Sequence, residues 1–206
     1  MKNSDKAILL QMTIGNMVFV MLGIVLLYIW APESLVASLI EIFSLEGGLY
    51  SLLIGLVGSM VAILYAYIVI KAGKGRFPDT EGTKVIVQLA NNKKLGLIGL
   101  VLLPALAEEF FFRGVIQPFL VEMFNPIWGV VITAFIFMLV HISDQYKGQP
   151  YLLFHMFWVG IVTGTAFLMT GSLWASIIIH LLNNYWSAKM IRDGKIEVKS
   201  ASDELN

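Results

Sequence analysis

The chain has no cysteine among its 206 residues, so neither a disulfide framework nor a thiolate metal site is open to it. Charge is scarce as well. Asp, Glu, Lys and Arg make up 14% of the chain against 58% hydrophobic residues, and the mean hydropathy is +0.80. Soluble domains carry roughly 25% charged residues, so this composition belongs to a membrane protein. Basic and aromatic residues are not interleaved on any polar segment, which leaves nucleic acid without a footprint. No repeat of fixed period is visible. The first apolar run is too long for a signal peptide and ends at Tyr28-Ile29-Trp30 without a small-residue cleavage site, so it is expected to stay as a first span.

What the chain does have is apolar length. Six segments, 7–30, 49–72, 95–120, 127–143, 151–170 and 172–188, are candidates to cross a bilayer, which takes about 20 helical residues. The fourth and sixth are short and are expected to borrow residues from their flanks. Residues 31–48 alternate apolar and acidic side chains around Pro32 and Gly47-Gly48 and read as an interfacial helix. Residues 71–94 form the longest polar stretch and read as a mobile linker. The expected fold is therefore all-α, a polytopic membrane bundle of about six transmembrane helices plus an interfacial helix. It divides into a two-span region with its loop (1–94), a catalytic membrane core (95–190) and a flexible tail (191–206). With six spans every Lys and Arg except Arg113 falls on one side, which by the positive-inside rule places both termini in the cytoplasm. A bacterial cell membrane is the expected setting.

Against this background, Glu108, Glu109 and Arg113 stand out, because a charge at membrane depth costs at least ~2.5 kcal/mol and usually faces a polar cavity. Glu109 and Arg113 are four residues apart on one helical face and are expected to pair. Glu108 sits about 100° round the helix with no basic residue at i±3 or i±4. That leaves it free to take a proton from water and return it. The bland reading is a structural polar knot. His141 closes the fourth span one turn after Phe137, which is placed to fix its ring. His180 and Asn184 share a face of the sixth span, a spacing that serves two ligands of one metal or two hydrogen bonds to one carbonyl. Each signal is weak alone; three spans bringing such groups into apolar surroundings is not. Counting ~1.5 Å per residue puts Glu108 and His180 on the order of 12–15 Å from the outer edge and His141 about 20 Å. The expected site is thus water-filled, near mid-membrane, and opens toward the cytoplasm past His141.

Glu-Glu-x-x-x-Arg at 108–113, Phe-x-x-x-His at 137–141 and His-x-x-x-Asn at 180–184 occur in the order of three motifs. In this the chain resembles the CAAX-protease and bacteriocin-processing (CPBP, or Abi) family, the type II CAAX prenyl endopeptidase-like intramembrane proteases. The similarity covers 95–186. It implies an intramembrane endopeptidase in which Glu108 activates water, Glu109 and Arg113 support the site, and His141, His180 and Asn184 complete it. Two routes stay open: Glu108 and His141 polarise water directly, or His141 and His180 hold a divalent metal such as zinc whose bound water Glu108 deprotonates. Asn184 would steady the oxyanion. Phe112, on the face of Glu108, and Phe137 are expected to line the substrate site. The expected partner is a hydrophobic or membrane-associated peptide entering sideways from lipid. A proton-coupled transporter, or a non-proteolytic bacteriocin-immunity or scaffolding protein, are the competing readings.

Other features read as ordinary. Gly160-x-x-x-Gly164 is expected to serve close helix packing. His155 lies outside the three motifs and reads as an interfacial residue. The five tryptophans lie mostly near span ends, as an aromatic belt would place them.

Overall fold

The computed structural model describes residues 3–30, 32–143, 146 and 149–199. The helices, in chain order, are α1 (Asn3–Trp30), α2 (Leu35–Ile42), α3 (Gly48–Lys71), α4 (Glu81–Asn91), α5 (Lys93–Met123), α6 (Pro126–Val140), α7 (Pro150–Thr170) and α8 (Leu173–Arg192). Each of the six expected spans corresponds to one of them. α3, α5, α7 and α1 from Lys6 onward are long and apolar enough to cross a membrane. α6 is shorter, at 15 residues. α8 is long enough, but His180, Asn183 and Asn184 interrupt its apolar run and Lys189 and Arg192 fill its last turn. The protein is an integral membrane helical bundle.

Two expectations need correction. Residues 71–94 are not simply a linker. They contain strand β1 (Arg76–Pro78), which pairs in parallel with β2 (Glu197–Lys199), and the amphipathic α4, which buries Thr83, Leu89 and Ala90. Thr80 starts α4 by accepting a hydrogen bond from the Thr83 N–H at 3.2 Å, and Asn92 starts α5 by accepting from the Leu95 N–H at 3.2 Å. The tail likewise holds β2, while its last residues, 200–206, lie outside the described residues, as do Lys2 and Lys147 of the charge pattern. In 31–48 the α-helix is limited to the eight residues of α2, led in by a 3-10 turn at Pro32–Ser34. Its Leu35, Leu39 and Ile42 pack against Phe110, Leu173 and Ile177. The segment behind it is held to α8, for Trp174 Nε1 donates to the Phe43 carbonyl at 3.1 Å and Ser172 Oγ to the Ser44 carbonyl at 2.9 Å.

α5 is the central rod, with 56% of its most apolar stretch buried against 11% for α1. α7 lies close to α6: a Cβ on Gly160 would sit 2.8 Å from the Ala134 Cβ. The glycine pair does more than pack. Gly160 and Gly164 present carbonyls to Arg113 and Gln117, which donate to them at 3.1 and 2.9 Å. Close approach and buried hydrogen bonds thus come from the same two positions.

Candidate active site

The site begins with irregular backbone in α5. Two π-helical stretches, Leu97–Leu102 and Phe112–Ile116, flank the regular α-helical stretch Leu103–Phe111 that carries both glutamates. Such stretches cluster at functional positions because they re-aim side chains and free carbonyls. Pro104 has no N–H to return to Leu100 in the α-helical pattern. The Leu100 carbonyl instead accepts a hydrogen bond from Asn184 Nδ2 at 3.1 Å. One member of the third motif is therefore spent, in part, on the helix that carries the first.

Glu109 and Arg113 are fully buried. Arg113 Nε lies 3.2 Å from Glu109 Oε2, and its Nη1 donates to Oε1 at 3.3 Å. Its Nη2 goes to Gly160 of α7, and its guanidinium carbon lies 4.7 Å from the centre of the Phe137 ring. Glu109 Oε1 also meets His180 Nδ1 at 2.6 Å. A carboxylate can only accept, so Nδ1 carries the proton and Nε2 is the remaining nitrogen of His180. One carboxylate thus ties α5 to itself and to α8, while its cation reaches α7.

Glu108 is arranged differently. Its Oε2 makes no hydrogen bond and lies 3.6 Å from His141 Nε2. His141 Nδ1 is 2.7 Å from the Phe137 carbonyl, an acceptor, so Nδ1 carries a proton and Nε2 is the nitrogen that faces Glu108. Glu108 and the ring therefore face one another just beyond hydrogen-bond reach, a separation at which a water beside them can touch both residues. The depth mismatch expected between Glu108 and His141 does not keep them apart, as helix tilt or the π stretches of α5 allow.

Glu108, Phe137, His141, His180 and Asn184 line one cavity of about 650 Å³. Phe137 packs against His141 with ring centres 4.5 Å apart and planes tilted by 43°, and it meets His180 edge-on at 5.9 Å, so it orients both imidazoles. Phe112 is fully buried and stands behind Phe137, edge-on at 5.1 Å, instead of lining the cavity. Gln11 of α1, Glu81 of α4 and Phe77 of β1 line other parts of the wall, so the cavity runs toward the side that carries the 71–94 segment.

Two wall residues were not expected in this role. His155, expected at the interface, is 5% exposed and lines the cavity from α7. Asn183 lines it from α8, one residue before the third motif's asparagine. No spacing rule singles out either one, since a histidine near a helix end and an asparagine beside another are ordinary in sequence.

The expected metal pair does not find a matching donor set. Among the described residues no three His, Cys, Asp or Glu side chains converge as an ion site, whereas a catalytic zinc takes about three protein ligands. The residues do not fit such an ion.

No curated protein and no solved structure matches the chain. Residues 90–186 match the family described as Rce1-like, Type II CAAX prenyl endopeptidase Rce1-like. That stretch holds Glu108, Glu109, Arg113, His141, His180 and Asn184, and over it the chain is similar to this family.

Proposed function

We propose that the protein is an intramembrane endopeptidase that hydrolyses a peptide bond in a hydrophobic, membrane-associated peptide with water activated by Glu108. The observation that carries this reading is the meeting of Glu108 and His141, 3.6 Å apart, on the wall of one cavity. A water there loses a proton to Glu108 as its oxygen adds to the scissile carbonyl carbon. The tetrahedral intermediate carries an oxyanion, for which Asn184 keeps the amide hydrogen not given to Leu100. Glu108 then passes its proton to the leaving nitrogen, the C–N bond breaks, and the new carboxyl and amine depart.

The other motif residues have supporting parts. Arg113 and Glu109 hold His180 in one tautomer, with Nε2 as its remaining nitrogen. The Phe137 carbonyl does the same for His141. No step is routed through a metal. The mostly apolar cavity suits lipid-embedded peptides, and the family's name adds prenylated CAAX-type peptides as one class to try. The basic flanks of the helices support a topology in which both termini, and the end of the cavity lined by the 71–94 segment, face the cytoplasm.

The test is membrane-peptide proteomics on cells carrying the wild type, Glu108→Gln or His141→Ala, with and without chelator. Both variants are expected to lose cleavage by about 10²–10⁴-fold while the folded protein persists. Chelator is expected to leave wild-type cleavage intact. Normal processing by well-expressed Glu108→Gln protein would overturn the role given to Glu108.

A further inference from the structure

On the side that carries the 71–94 segment, the cavity is bordered by Phe77 of β1, Glu81 at the start of α4, Tyr146, and Ile196 just before β2. The two strands that meet there are held very differently. β1 is fixed between α3 and α4. Its Phe77 is 8% exposed and packs edge-on against Tyr146 with ring centres 6.0 Å apart. β2 reaches the same place from the end of α8 through a turn at Gly194, whose φ of +65° suits glycine. The Lys195 N–H closes that turn on the Met190 carbonyl at 2.9 Å. Beyond it, β2 pairs with β1 in parallel over three residues only: Arg76 with Glu197, Phe77 with Val198 and Pro78 with Lys199. Pro78 brings no N–H to the pairing. Two strands alone are marginally stable, and parallel pairs are slightly weaker per residue than antiparallel ones. One strand at this end of the cavity is therefore anchored, and the other is easily released.

We propose that the edge of β1 now paired with β2 is the docking edge for an extended stretch of the substrate, and that β2 is a strap which the substrate displaces. The inference rests on the protease reading of the site and extends it. A peptide bond inside a helix is shielded, so a peptide is cut in extended form. Where such a chain runs along apolar walls, its N–H and C=O groups need partners. An open strand edge supplies them whatever the side chains are. β2 shows that backbone from elsewhere in sequence fits this edge, and that a chain seated there borders the cavity through Ile196. The same backbone groups of β1 cannot pair with two strands at once, so tail and substrate compete.

The experiment uses the full chain in nanodiscs with Glu108→Gln, so that peptide is held and not cut. Two fluorescent probes are titrated by anisotropy: a peptide with a farnesylated cysteine, and a synthetic copy of residues 194–206 of this chain. The strap is released by Glu197→Pro with Val198→Pro, since successive N–H groups point to opposite edges and one of the two faces β1. It is locked by Arg76→Cys with Glu197→Cys, Cα partners in the register, joined by a short bis-maleimide; the chain has no other cysteine to react. A strap closed for roughly 80–90% of the time lowers apparent affinity about 5- to 10-fold, so release is expected to tighten both probes by that factor. Locking is expected to weaken both by about 10-fold or more relative to the same chain before linking. Affinity of either probe unchanged by release or by locking, or no binding by the released chain, would overturn the docking edge. Cleavage of the farnesylated peptide by chains that keep Glu108 is scored separately. Binding that follows the strap without cleavage keeps the docking edge and counts against the protease, while cleavage with binding blind to the strap does the reverse.

Discussion

α1 and α5 are both apolar and both carry polar groups, yet they handle them in opposite ways. In α1, Thr13 Oγ1 donates to the Leu9 carbonyl at 2.8 Å and Asn16 Nδ2 to the Met12 carbonyl at 2.9 Å, each one turn back on its own helix. In α5, Arg113 and Gln117 donate to carbonyls of α7, Glu109 bonds to α8, and the Leu100 carbonyl is satisfied from α8. A helix that faces lipid must settle its polar groups locally, since lipid offers no partners. A helix at the centre can settle them across its neighbours, and in doing so it fixes their relative placement. The polar residues of α5 therefore specify assembly and site together.

The sharpest way to break this contrast is Arg113→Met, which leaves Glu109 buried beside His180 without its cation. Loss of one partner of a buried pair costs roughly 3–5 kcal/mol, so thermal unfolding in detergent should show a collapse of the folded fraction. An unchanged midpoint would mean that the pair holds little together. Gly160→Leu should come next. Its side chain has no room against Ala134 and would push the Gly160 carbonyl away from Arg113, for a loss of about 1–3 kcal/mol in the same assay. The smallest effect is expected on α1, where Leu22→Ala removes a half-exposed, lipid-facing side chain and should stay within about 0.5 kcal/mol. A loss as large as that of Gly160→Leu would show that α1 is a structural equal of α5.

The same contrast accounts for how much could be read from the sequence. Hydropathy alone located six helices, because lipid-facing length is written in composition. The motif residues were legible because charges and imidazoles are rare in such runs, and geometry brings Glu108 next to His141 and Glu109 next to His180 and Arg113. Three things were not legible. The π stretches of α5 depend on contacts with α8 as well as on Pro104, and nothing in Leu97–Leu102 marks them. α4 is short and amphipathic, and its burial of Leu89 and Ala90 depends on its neighbours. β1 finds its partner about 120 residues away, across three-residue strands too short for any periodicity to mark. His155 belongs with these, since only the arrival of α3 and α8 turns a residue near a helix end into a buried one.

The central claim is that a water activated by Glu108, and not Glu108 itself, attacks the peptide carbonyl. Single-turnover cleavage in heavy-oxygen water, with mass analysis of both the product and Glu108, tests it directly. Direct attack by water puts the heavy oxygen in the new carboxyl group of the product in the first turnover and leaves Glu108 unlabelled. A label on Glu108 with unlabelled first-turnover product would mean that the carboxylate attacked as a nucleophile, and the account would be wrong.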